Sequence, residues 1–457
     1  MCLVLIACTK PLTVTSPDSG EKGDGDPSLP ACTAPGAATY QLAAASVIAP
    51  TMVGFGAQFN ANLYADISAA AGVTPANVVN LEAKAVALAP RHVRIFWNST
   101  ATTDQVASFE RVVALAQQAG ATINVTYWHG PYPDPVGQMQ AFATELVHLV
   151  NDLGYDAVRY ITIQNEVNST RVTQPQYEQL YRELDRDLRA AYLRERIQFV
   201  CGDLLQDGQT SWFDYMATHM TDVCDGYSEH IYWNYFDTGR MVQRLTEVHD
   251  IVAALPPEAQ KPLYITEYGV RGRSPNGEAQ PGLYSDGQLL ERTNENAYQH
   301  AWFSVLAARL GYVSTLKWDA FYAKYDNGEQ FFSSIGIPPA WFLKPVYYES
   351  QLFHRVVPAG WSSVQVTGGA DGDPRLLAGF VGPNNHASVI ALNQAKTSSD
   401  VDVTGLPPGV PLQLLVWHGD GDGTLSATPI DSSADCRATF TVPARSVAAI
   451  TTLPAVR

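Results

Sequence analysis

Residues 158–168 read Val-Arg-Tyr-Ile-Thr-Ile-Gln-Asn-Glu-Val-Asn. The run 158–164 is rich in β-branched and aromatic residues, as a strand requires, and it stops at an Asn-Glu pair. Pro175 then opens a stretch in which Tyr177, Leu180, Tyr181, Leu184 and Leu188 fall on one helical face. A strand, a polar strand end and an amphipathic helix form one unit of a parallel α/β fold. The unit recurs on both sides. Strands are predicted at 53–57, 92–96, 122–127, 197–202, 226–232, 263–267 and 314–318 as well. Val106, Phe109, Val113 and Ala116 mark a helix that stops at Gly120. Met139, Phe142, Leu146 and Leu149 mark another, and so do Met241, Leu245, Val248 and Val252. Eight strands alternating with helices predict an α/β fold, a (β/α)8 TIM barrel over residues 51–340.

Helical spacing disappears towards the C-terminus. Short alternating runs at 363–367, 376–381, 388–393, 412–417 and 439–442 are separated by turn signals such as Gly368-Gly369 and Pro383-Asn384. Residues 341–457 therefore read as an antiparallel β-sandwich. Residues 38–50 are β-like, precede the barrel and are expected to join that sandwich as a strand.

The chain has 457 residues, 46% hydrophobic and 16% charged, which supports a large core and excludes a mainly disordered chain. Lys+Arg 29 against Asp+Glu 45 gives a formal charge of −16. Phosphate backbones and anionic membranes repel such a surface, so nucleic acid is not an expected partner. A monomer is expected.

Residues 1–37 begin with a short apolar run ending in Leu5-Ile6-Ala7-Cys8, a lipobox-like sequence, and continue as a Pro-, Gly- and Ser-rich tether. They predict an export segment with a lipid anchor through Cys8, and an extracellular protein that is secreted or held on a bacterial cell surface. No cysteine pair has the CxxC spacing of a zinc site, and no metal or cofactor is expected. In an oxidising compartment Cys201–Cys224 and Cys32–Cys436 are plausible disulfides, with buried free thiols as the alternative.

The chemistry of a barrel stands at the C-terminal ends of its strands. Strand two ends around Arg94, Trp97 and Asn98; strand three in Tyr127-Trp128-His129; strand four in Asn165-Glu166. Strand six carries Glu229-His230 and ends at Tyr232-Trp233, strand seven at Glu267 and strand eight at Trp318. Glu166 and Glu267 stand across the mouth, where two carboxylates can flank a glycosidic bond, one as acid and one as nucleophile or base. Arg94 and Tyr232 can donate hydrogen bonds that keep one of them ionised. Trp128, Trp233 and Trp318 can stack on sugar rings. Strand alternation points Glu229 away from His230, as a structural partner.

The set resembles the clan of retaining glycoside hydrolases built on (β/α)8 barrels, with its cellulase-like, β-xylosidase-like and arabinofuranosidase-like families. The motifs are Ile163-Gln164-Asn165-Glu166-Val167-Asn168, Tyr264-Ile265-Thr266-Glu267-Tyr268-Gly269, Val93-Arg94-Ile95, His230-Ile231-Tyr232 and Trp318. Lys344-Pro345-Val346-Tyr347-Tyr348 resembles the junction into the C-terminal sandwich. Many members carry Pro shortly after the strand-four Glu; Val167-Asn168 stands here instead. The resemblance implies hydrolysis of β-linked poly- or oligosaccharides, with Glu166 as acid/base and Glu267 as nucleophile. Arg94, Asn98, Trp128, His129, Asn165, His230, Tyr232, Trp233 and Trp318 would bind the substrate. A transglycosylase using the same site, or a non-catalytic glycan-binding surface lipoprotein, are the alternatives.

Overall fold

The computed structural model describes residues 39–454, apart from 129, 206–208, 274–281, 326–327, 330–331, 371 and 431–434. Eight parallel strands close into a barrel. They are β1 (Gly54–Gln58), β2 (His92–Asn98), β3 (Thr122–Trp128) and β4 (Val158–Ile163), followed by β5 (Gln198–Leu205), β6 (Gly226–Asn234), β7 (Leu263–Arg271) and β8 (Tyr312–Lys317). β8 closes on β1 through Phe55↔Thr315 and its neighbours.

A helix follows every strand: α1 (Pro75–Leu88), α2 (Thr103–Gln118), α3 (Pro135–Val147), α4 (Gln174–Ala190), α5 (Thr210–His219), α6 (Thr238–Ala253), α7 (Asn294–Arg309) and α8 (Pro345–Val356). Their starts are written in the sequence. Thr74, Thr102 and Thr173 each cap a helix and exchange reciprocal hydrogen bonds with the residue three positions on. Proline in the first turn of α1, α3, α4 and α8 gives up a donor that has no helical partner anyway. The predicted apolar stripe of α4 (Tyr177, Leu180, Tyr181, Leu184, Leu188) is buried against the barrel.

The C-terminal unit is a single curled sheet of nine strands. Its order from one edge is Leu425–Ile430, Leu412–Trp417, Val447–Thr451, Ala387–Asn393, Arg375–Val381, Ser362–Gly368, Tyr40–Ala49, Ser399–Thr404 and Arg437–Val442. The sheet is mixed rather than wholly antiparallel, because Tyr40–Ala49 pairs antiparallel with Ser362–Gly368 on one side and parallel with Ser399–Thr404 on the other. The strand predicted from residues 38–50 thus lies inside this sheet. One apolar layer, with Leu42, Val389, Val401, Phe440 and Ile450, fills the curl. A second joins sheet to barrel: Phe55 of β1 meets Phe353 of α8 edge-on at 5.1 Å, amid Trp361, Phe380 and Trp417.

Among the described helices none is long and apolar enough to cross a membrane. The lipobox and tether lie outside the described residues, as does Cys32. Cys436 is buried and disulfide-bonded. Cys201 of β5 and Cys224, just before β6, form the expected disulfide across 23 residues. Closing a loop of that length restricts the unfolded chain by about 3 kcal/mol. Replacing both cysteines by Ala is therefore expected to lower the unfolding free energy by roughly that amount, measured in urea; an unchanged midpoint would refute the bridge's contribution.

Candidate active site

Arg94 is a fully buried guanidinium inside the C-terminal end of the barrel. Its Nε donates to Thr126 Oγ1 at 2.9 Å, its Nη1 to Glu267 Oε2 at 2.8 Å, and its Nη2 to Asn165 Oδ1 at 2.7 Å and to Asp203. One side chain from β2 thereby fixes groups on β3, β5 and β7 and at the end of β4. An unpaired charge in this place would be prohibitive, and three anions or amides meet it.

Local irregularities bring the partners to it. The β6–β7 register slips between Glu229↔Ile265 and His230↔Glu267, and the β7–β8 register slips over the same residues of β7. Thr266 and Glu267, consecutive in sequence, therefore both reach the barrel interior: Thr266 donates to Asp203, and Glu267 meets Arg94. A second slip falls between Cys201↔Tyr227 and Leu204↔Glu229. There Gly202 has φ +129, and a Cβ on it would stand 2.2 Å from Ser228 O, so only glycine fits. At the end of β4, Gln164 and Glu166 both have left-handed backbones (φ 67 and 49). Tyr132 donates to Gln164 Oε1 at 2.6 Å, and Asn168 ties the following turn to Leu205 through two hydrogen bonds.

Five ionisable groups cluster around Arg94. His230 Nδ1 lies 3.3 Å from Glu166 Oε1 and 3.8 Å from Glu267 Oε2, and its Nε2 lies 3.5 Å from Asp203. Tyr232 donates to Glu267 Oε1 at 2.6 Å. Burial opposes charge on His230, but Glu267, Asp203 and Glu166 outweigh it and hold its proton up to about 9. Burial likewise opposes ionisation of Asp203, and the Arg94 and His230 charges win, so it stays well below the usual carboxylate range. For Glu166, burial pushes the carboxyl up; the His230 hydrogen bond and charge and the Arg94 charge overcome that and leave it lowered. Two cations thus face three carboxylates.

Glu166, His230 and Glu267 each bring one ligand-type atom within 4.8 Å of the other two. That spacing can hold a cation. In this arrangement Arg94 and His230 stand against the carboxylates.

Phe96, Tyr232 and Trp318 form an aromatic cluster with Trp128 and Phe332 beside the carboxylates. The structure thus brings together Arg94, Asn165, Glu166, His230, Tyr232 and Glu267, with Trp128 and Trp318 alongside. Asn98 instead accepts from Thr100 N and Oγ1, both at 2.9 Å, and secures its own loop. Trp233 lies on the far side of β6, stacked on Phe303 of α7 at 5.0 Å and donating to Gln299 at 2.7 Å. The expectation that Trp233 stacks on sugar is corrected by strand alternation: with Tyr232 facing inward, its neighbour faces the helices. The same alternation buries Glu229 outside the site, where it accepts from Tyr312 Oη at 3.0 Å. His129 lies outside the described residues. Asp203 was not foreseen. A lone acidic residue between Gly202 and Leu204-Leu205 in an otherwise apolar strand was the available signal.

The His230 proton carries a stability consequence. Its ordinary value is 6.5 and its folded value about 9, so folding binds this proton more tightly. The stabilisation is complete below pH 6.5 and is lost as pH rises through 9, a change on the order of 3 kcal/mol. Urea unfolding at pH 6.5 and 9.5 is expected to show that loss in the wild type relative to His230→Gln. Parallel pH dependence in the two proteins would contradict it.

No protein-family model and no curated protein matches the sequence. Many solved structures match the fold. A GH30 endoxylanase from Clostridium papyrosolvens is 12% identical, with TM-score 0.64 over 90% of this chain and 99% of that one. A conserved exported protein from Bacteroides fragilis is 13% identical, with TM-score 0.67 over 90% and 100%. An α-L-arabinofuranosidase from Thermotoga maritima is 12% identical, with TM-score 0.62 over 91% and 99%. Barrel and C-terminal sheet together thus share the fold of these structures, the endoxylanase and the arabinofuranosidase among them.

Proposed function

We propose that this chain is a retaining glycoside hydrolase that cleaves β-linked poly- or oligosaccharides by double displacement. The observation that carries the reading is the carboxylate pair: oxygens of Glu166 and Glu267 approach within 4.8 Å at the mouth of the barrel. Retaining enzymes hold their carboxyls about 5–5.5 Å apart, whereas inverting enzymes leave about 6.5–9.5 Å for a water.

Glu267 is the nucleophile. Arg94 on one oxygen and Tyr232 on the other hold it in place and aimed. It attacks the anomeric carbon while the departing oxygen takes a proton from Glu166. Burial pushes the Glu166 carboxyl up, but the His230 hydrogen bond and charge and the Arg94 charge leave it lowered; His230, which holds its own proton to about 9, lies 3.3 Å away and can pass a proton through it. Glu166 then takes a proton from water, and the hydroxide released onto the anomeric carbon frees Glu267. Asn165, held by Arg94, faces the sugar hydroxyl next to the reacting carbon, and Trp128 and Trp318 supply stacking faces. The Cys201–Cys224 disulfide supports work in an oxidising, extracellular compartment.

A panel of neutral and acidic glycans and aryl glycosides tests the reading. The wild type is expected to hydrolyse at least one, with retention of the anomer by NMR, and Glu267→Gln to lose about a thousandfold or more in kcat/KM. Glu166→Gln should keep more activity on aryl glycosides with good leaving groups than on natural linkages. An inverted product, or Glu267→Gln within tenfold of wild type, would overturn it; products longer than the substrate would make the enzyme a transglycosylase.

A further inference from the structure

Three alternate residues of β7 address one tyrosine of β6. The register pairs His230 with Glu267, Tyr232 with Gly269 and Asn234 with Arg271. Residues 267, 269 and 271 share one face of the strand. Glu267 accepts the Tyr232 hydroxyl at 2.6 Å. Gly269 leaves room for the ring: a Cβ there would stand 2.8 Å from Tyr232 Cε1. The Arg271 guanidinium lies over the ring face, 4.6 Å from its centroid.

Arg271 has no other visible purpose. Its Nε is buried without an acceptor, and among the described residues it has no ion-pair partner. By contrast Arg94 and Arg244 are both engaged: Arg94 on carboxylates, Arg244 on the Tyr232 carbonyl. A guanidinium over a phenol is attracted to the ring's negative face, most strongly where water is excluded. It fixes the ring's tilt and withdraws charge from the hydroxyl, which makes that hydroxyl a better donor. Phe332 meets the same ring edge-on at 5.9 Å.

We propose that Arg271 is a positioning residue that acts on Glu267 through the face of Tyr232. Strand β7 then supplies the carboxylate, the gap and the cation that hold a single hydroxyl in place. This deepens the hydrolase reading and rests on it.

Two measurements on the same proteins test the proposal. The first is NMR of ring-labelled tyrosine, with the Tyr232 signal assigned by Tyr232→Phe. A held ring gives separate resonances for its two edges in the wild type and in Arg271→Lys, and a single averaged one in Arg271→Gln. The second is kinetics on a substrate found in the panel. Arg271→Gln is expected to lower kcat about five- to tenfold with KM within about twofold, and Arg271→Lys to recover most of it. On a Tyr232→Phe background Arg271→Gln should cost little more, because its effect passes through the hydroxyl. An unchanged ring signal, or an undiminished loss on that background, overturns the proposal. A wild type that hydrolyses nothing overturns the hydrolase reading instead, and the ring signal still decides whether Arg271 holds Tyr232.

Discussion

A buried guanidinium must be surrounded by acceptors, and Arg94 meets that demand by drawing five strands to one point. Thr126, Asn165, Asp203 and Glu267 are placed where its fork can reach them. The other features of the site follow from this. Asp203 can reach it only where β5 loses register at Gly202, and Glu267 only where β7 carries an extra residue. His230 is charged because Asp203 and Glu267, both already committed to Arg94, leave room for a second cation. The result is a polar core in which every charge is held by another, a preset field rather than a set of mobile side chains.

Such a field costs backbone freedom. Left-handed conformations at Gln164 and Glu166 each cost on the order of 1–3 kcal/mol in isolation. Tyr132 and Asn168 offset part of it through hydrogen bonds to Gln164 and Leu205. The disulfide enters β5 two residues before Asp203, so it also steadies the strand at its weakest point. Backbone strain is thus stored at the rim of the barrel, where these side chains meet.

All eight barrel strands were legible within a few residues, because each combines β-branched or aromatic residues with a polar end. The Asn165-Glu166 and Glu267 positions were legible for the same reason. What escaped was register. Gly202-Asp203 reads locally as a turn, so the predicted strand stopped there, and Asp203 went unseen; in the fold the strand runs on through a bulge to Leu205. Trp233 was assigned to the site by its chemistry alone, although the alternation already applied to Glu229 sends it outward. In the C-terminal sheet three strands were missed. Leu425–Ile430 is an exposed edge strand containing Pro429. Val447–Thr451 is short and alanine-rich, with both faces buried and hence no alternation. Ser399–Thr404 carries two aspartates, Asp400 and Asp402, whose places at the surface depend on Thr441 and Arg437 of the neighbouring strand.

The strand Tyr40–Ala49 sits between Ser362–Gly368 and Ser399–Thr404, two neighbours made more than roughly 300 residues after it. During synthesis it emerges before the barrel yet has nothing to pair with until the barrel is complete. Its sheet partners are thus contacts of very high sequence separation, the kind that form slowly in folding. The C-terminal sheet is consequently not a module that can be cut out, exchanged or appended as one contiguous stretch. It is a clasp, with one strand before the barrel and eight after it in the order of translation.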